Sequence, residues 1–160
     1  MKNIFYLLLA ITIVTCSHDT ENEKLILNKN DSLVFIRFNS EGQYIYTFYK
    51  LTNSEVFRND TYFTYINQFE YYYNEDPANL VNLGSDKFNL SKDLIHYFPN
   101  KLISTERKIG NPGALDGGVL YLKLTKNGVT KTWELDSDPN AVPEEFRVFV
   151  QKVNEKINQL

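Results

Sequence analysis

Half of the usual chemistry is excluded by what this chain of 160 residues lacks. It has one cysteine, Cys16, so no disulfide within the chain and no cysteine-based metal site is available. It has two histidines, His18 and His96, and no His-Glu-x-x-His pair for zinc. No Gly-x-Ser-x-Gly elbow occurs, and the glycine-dense stretch lacks the Lys-Ser/Thr of a phosphate loop. Basic residues are not concentrated on any segment, which argues against nucleic acid as a partner. The longest apolar run, Ile4 to Val14, is eleven residues interrupted only by Thr12. A bilayer-crossing helix needs roughly 20.

That run has the form of a secretory segment instead. Lys2 gives it a positive start, and Ile13-Val14-Thr15-Cys16 ends it with the sole cysteine. Ile13, Val14 and Cys16 resemble the lipobox of bacterial lipoproteins, with Thr15 where that family has Gly, Ala or Ser. The resemblance implies a signal peptide over 1–16 and a diacylglycerol (with palmitate-type chains) on the Cys16 sulfur. Several acyl chains on one residue anchor stably, whereas a single chain holds only marginally. The alternative is an N-terminal strand or helix with an incidental thiol. Ser17 to Asn30 reads as a polar, acidic tether, with Asp19, Glu21 and Glu23 close behind the cysteine. That cluster is similar to the surface-export signal of Bacteroidetes-type lipoproteins, and a plain solvated linker has the same composition. The resemblance therefore implies an outer-membrane location in a bacterial envelope, either facing the periplasm or displayed at the surface.

The 144 residues after Cys16 suffice for one domain with a proper core. With 42% apolar and 23% charged residues the chain is globular in composition. Its formal charge of −3 becomes −4 once Lys2 is lost. Eleven tyrosines and eleven phenylalanines favour sheet. Strands are expected over Leu33 to Phe38 and Gln43 to Leu51, joined by a turn at Asn39 to Gly42. Two more are expected at Glu55 to Phe57 and Thr61 to Ile66, with Asn59-Asp60 turning between them. Phe69 to Tyr73 reads as strand, although its spacing also fits helix. Asp76-Pro77 ahead of Leu80, Val81 and Leu83, with Gly84 behind, predicts a short helix. Leu90 to Phe98, stopped by Pro99, predicts another.

The last third carries the firmest signals. Asn127-Gly128 between Val119 to Lys126 and Val129 to Leu135 predicts a two-residue hairpin. The implied register opposes Leu124 to Lys131, Leu122 to Trp133 and Leu120 to Leu135, so these apolar residues share one face. Pro143 then opens a helix whose stripe, Phe146, Phe149, Val150, Val153, Ile157 and Leu160, would cover that face. Together these predict a single α+β domain over 31–160. It is an antiparallel sheet of five to seven strands with short helices and a C-terminal helix packed on one face.

Ligand-binding candidates are few. Tyr62, Tyr65, Tyr71 and Tyr73, with their neighbours, offer phenols suited to glycans or protein partners if the rings share an open face. Cross-strand pairing inside the sheet is the competing explanation. Gly110 to Gly118, including Gly113 and Asp116, holds four glycines in nine residues and reads as a mobile connection or a recognition loop. Asp136, Asp138 and Asn140 have the spacing that begins a calcium loop. The pattern then fails, with Ala141 where glycine and Arg147 where a bidentate glutamate are needed. Asp93 and His96 stand three apart on one helical face. No cofactor is implied, and oligomeric state is not legible. The leading expectation is a lipid-anchored binding module for an envelope protein or glycan. The competing ones are a small glycan-directed hydrolase or lyase using carboxylates or tyrosine, and a protease inhibitor presenting loop 110–118.

Overall fold

The computed structural model describes residues 24–38, 45–62, 64–67, 70–72, 77–113 and 118–160. Cys16, His18, the acidic cluster, the Asn39 to Gly42 turn, Tyr73 and Asp116 lie outside them. In chain order the strands and helices are β1 Ser32–Phe38, β2 Ile45–Leu51, β3 Val56–Tyr62, β4 Thr64–Asn67, β5 Glu70–Tyr72, β6 Val81–Asn82, α1 Gly84–Ser91, α2 Leu94–Tyr97, β7 Lys108–Ile109, β8 Val119–Lys126, β9 Val129–Asp136 and α3 Glu144–Gln159. Seven strands form one sheet in the order β6-β3-β2-β1-β8-β9-β7, and β4 and β5 form a separate two-stranded one. Within the large sheet only the β7–β9 pairing is parallel.

The β8–β9 hairpin has the predicted register, from Lys126 opposite Val129 to Leu120 opposite Leu135. Asn127 (φ 51°) and Gly128 (φ 77°) make its turn. Leu120, Leu122, Leu124, Trp133 and Leu135 belong to the main core, together with Phe146, Phe149, Val150 and Val153 of α3. Phe98 meets Trp133 and Phe149 edge-on, with centroids 6.0 and 5.4 Å apart. Such ring pairs contribute about 0.5 to 1.5 kcal/mol each beyond the area they bury. Leu94, Ile95 and Phe98 face this core as expected, the first and last fully inside it.

Several expectations need correction. β3 runs straight through Asn59 and Asp60, which pair with Phe48 and Thr47 of β2, so no turn occurs there. The Thr47 hydroxyl donates to Asp60 Oδ1 at 2.7 Å. The segment after Pro77 is a 3-10 turn, Pro77–Asn79, followed by β6. Gly84 (φ 82°) opens a helix instead of closing one. The second predicted helix divides between the end of α1 and α2. The packed domain also reaches back before residue 31, because Leu25 and Leu27 are in the main core.

The far face of the sheet holds a second cluster: Val34, Ile36, Phe38, Phe48, Val119 and Tyr121, with Leu80 packed against it. β1 is therefore buried on both sides. A strand with two buried faces reads as a continuous apolar run, and Leu33-Val34-Phe35-Ile36 is one.

Candidate functional site

The described surface has a groove of about 260 Å3 lined by Lys101, Thr105, Glu106, Lys108, Ile109, Gly110, Pro143, Glu145 and Phe146. Three parts of the chain build it. The 3-10 helix Asn100–Ser104, which starts after Pro99, forms one wall and is tied to β9 by Lys131 Nζ donating to the Ile103 carbonyl at 2.7 Å. The edge strand β7 forms the second, and the first turn of α3 the third. Ile109 and Phe146, both buried, supply an apolar floor, and four charged side chains lie around it. Lys101 Nζ reaches Glu145 Oε1 at 2.7 Å and so joins two of the walls.

Gly110 is required at the corner of this groove. Its φ is 79°, and a Cβ there would stand 2.7 Å from the Ala141 carbonyl oxygen. A Cβ on Gly118 would stand 2.5 Å from Ser137 Oγ. Both ends of the glycine-dense segment are thus seated against the Asp136 to Ala141 link. Gly113, also at positive φ, is exposed between them.

Lys101, and to a lesser degree the Glu145 backbone amide, hold the Glu145 carboxyl below its ordinary range. A general acid needs the opposite shift. Behind the groove, buried Glu134 lies between two cations: Oε1 is 3.2 Å from Arg107 Nη2 and Oε2 is 3.5 Å from Lys108 Nζ. The buried Glu134 carboxylate thus draws two half-exposed cations of the β7 segment onto β9, and losing both would leave its charge uncompensated inside the protein.

Of the residues singled out by sequence, the described ones fall in three separate places. Tyr65 and Tyr71 are cross-strand partners in the β4–β5 sheet, whereas Tyr62 is in β3 opposite Ile45, so the tyrosines belong to two sheets. Asp136 Oδ1 accepts the Asp138 amide at 2.9 Å, and Asp138 Oδ1 accepts the Asn140 amide at 2.9 Å. These carboxylates shape the link from β9 to α3. Among the described residues no group of three or more His, Cys, Asp or Glu side chains converges on a metal-sized site. The His96 amide donates to the Asp93 carbonyl at 2.9 Å, but the Asp93 carboxylate is taken by another partner: its Oδ1 is 2.8 Å from Lys156 Nζ, which also donates to the Leu90 carbonyl. Lys87 Nζ donates to the Gln159 carbonyl, so two lysines fasten α1 and the start of α2 to α3. Sequence reading missed the groove because its floor residues are ordinary core types and its walls are distant in the chain. Gly110 was its one visible sign.

The fold and groove define an α+β domain with an open, amphipathic groove. No protein-family model, curated protein or solved structure matches the chain.

Proposed function

We propose that this protein is a lipid-anchored, non-enzymatic binding module of a bacterial envelope, attached through Cys16 and turned away from the cytoplasm toward a protein or glycan partner. The observation that carries the reading is the position of the only cysteine two residues after Val14, at the end of Ile4 to Val14, a run too short to span a bilayer. Among the described residues no helix is long and apolar enough to cross a membrane. In this reading the acyl chains supply the attachment. The contact surface is the groove at the N-terminal end of α3, whose buried Ile109 and Phe146 floor and rim of both charge signs suit a short amphipathic segment. No observation favours a hydrolase or an inhibitor over it. The groove's Glu145 is held ionised by Lys101, and loop 110–118 is seated at both ends.

Intact-mass analysis of protein from its native host tests the anchor: the expected N-terminus is acylated Cys16. An unacylated chain still carrying Met1, recovered from the cytosol, overturns the reading. A photocrosslinker at Thr105 tests the surface. Capture of one envelope component there, lost with Lys101→Glu on the exposed rim and retained with a substitution at exposed Val148, is the expected result.

A further inference from the structure

We infer that the part of the sheet beside the C-terminal end of α3, where Arg37, Tyr49 and Arg58 stand together, binds the carboxylate of an acidic saccharide unit. The site is separate from the groove and does not depend on the anchor.

Strand register brings the three side chains together. Tyr49 lies opposite Arg58 of β3 on one side and opposite Phe35 of β1 on the other. Arg37, two residues beyond Phe35, is therefore diagonal to Tyr49 on the same face, about 7 to 8 Å away and within reach of a long side chain. Phe35 stacks on the Tyr49 ring with centroids 5.6 Å apart, which fixes the phenol in place. Tyr49 is only 6% exposed, yet its hydroxyl has no hydrogen-bond partner among the described residues. A buried phenol normally finds one. Burial and, more weakly, Asp60 hold that hydroxyl above its ordinary value of 10.0 against the pull of Arg58 and Arg37, so it stays a donor at neutral pH.

The Arg37 guanidinium is held without being neutralised. Its Nη2 donates to Asn158 Oδ1 at 2.9 Å and its Nη1 to Asn154 Oδ1 at 3.5 Å, while Asn154 Nδ2 is turned onto the Ser137 carbonyl. Both partners are uncharged, and among the described residues no carboxylate lies within ion-pair distance of Arg37. Arg58 does have one, Asp60, whose Oδ2 is 3.3 Å from its Nη2. The other Asp60 oxygen accepts the Thr47 hydroxyl at 2.7 Å. Two guanidiniums thus face one fully engaged carboxylate and the roughly half-charge of the last turn of α3, which leaves a positive surplus. A ligand carboxylate matches it, because a guanidinium offers paired N–H donors and the phenol adds a third. The rim indicates the rest of the ligand. Thr47, Asp60 and Asn158 can exchange hydrogen bonds with hydroxyl groups, and none of the exposed large apolar side chains is among them. A protein partner would want an apolar anchor there, whereas a uronic acid unit needs none.

The test is calorimetric titration of the full-length protein, purified from host membranes, with trigalacturonate and with a hyaluronan tetrasaccharide. Galactotriose is the neutral control. Saturable binding of a uronate and none of galactotriose is expected, weakened at least about tenfold in Arg37→Gln. Tyr49→Phe should weaken it several-fold at an unchanged urea midpoint, because the hydroxyl bonds nothing within the protein. No saturable binding of either uronate, or equal affinity in the parent, Arg37→Gln and Tyr49→Phe, overturns the proposal. Equal affinity for inorganic phosphate or for an aspartate-rich peptide overturns the saccharide assignment. Glu41, the carboxylate nearest to Arg37 in sequence, lies outside the described residues and is therefore tested as Glu41→Gln. Binding that appears only in that variant would show that Arg37 serves Glu41, and would overturn the proposal as well.

Discussion

The β8–β9 hairpin turns through two residues at positive φ, and the β2–β3 hairpin turns through Thr52 to Glu55 with none. The first turn is also held from far away in sequence, by Asp31 on the Asn127 amide. The second is held locally, by the Thr52 amide on the Glu55 carbonyl at 2.9 Å and by its own side chain. The Thr52 hydroxyl accepts the Glu55 amide at 3.0 Å and donates to the Glu55 carbonyl at 3.1 Å. A turn that demands left-handed backbone must advertise itself through Asn-Gly, because few other residues accept that conformation. A turn closed by a hydroxyl leaves no comparable mark, and Asn59-Asp60, five residues later, competes with it by composition alone. The same contrast predicts how each hairpin fails.

The largest effect is expected where the first hairpin meets α3. Trp133→Ala empties the centre of the main core, removing the ring that Phe98 abuts, and should cost about 3 to 5 kcal/mol. Urea denaturation would measure it. A loss below about 1 kcal/mol would show that the hairpin and α3 do not share one core. Next comes the turn itself. Gly128→Val puts a branched side chain at φ 77° and should cost roughly 1 to 2 kcal/mol, although nothing stands within 4 Å of the new Cβ. Ser54→Val in the other turn, at negative φ and exposed, should change the urea midpoint little. Equal losses at the two sites would erase the distinction drawn between the turns. Thr52→Val should then cost about 1 kcal/mol, because it keeps the shape and removes the hydroxyl bonds while leaving the Thr52 amide on the Glu55 carbonyl at 2.9 Å. Hydrogen exchange at Glu55 gives the local readout, and unchanged protection there would mean the hydroxyl is dispensable.

The same logic explains how far sequence reading went. The β8–β9 register and the α3 stripe were legible because one period-2 pattern, one period-3.6 pattern and one obligatory turn agree. β6 and β7 were not, since two residues carry no periodicity. The second buried face was hidden by polar types. Tyr121, Glu134, Asp136 and Asn59 are all under 5% exposed, and residues of these kinds usually lie outside. Asn59 Nδ2 is buried without a hydrogen-bond partner, a cost that sequence gives no reason to expect. The groove was illegible for a different reason: only folding brings Lys101, Ile109 and Phe146 together. Its sole sequence trace, Gly110, is a backbone requirement and carries no information about ligand.

The last prediction separates the hairpins by pH and is read as a slope. Hydrogen bonds from the Asn28 and then the Asn127 amide pull the Asp31 carboxyl below its ordinary value of 3.8, against the opposing effect of burial. A carboxyl depressed on folding stabilises the native state fully above its unfolded pKa. That contribution fades as pH falls through the folded value. Acidification from 3.8 downward should therefore loosen the β8–β9 turn, while Thr52, which does not titrate, leaves β2–β3 unaffected. Asp31→Asn presents an amide in place of one acceptor, so it lowers stability at neutral pH and flattens the acid limb of the profile. Some acid dependence should persist in the variant, because Lys101 and Lys152 also depress Glu145 and Glu155. Parallel profiles for the two proteins, measured by urea midpoint as pH is lowered past 4, would mean that Asp31 titrates alike in the folded and unfolded chains. The long-range lock on the turn would then be no stronger than the local one.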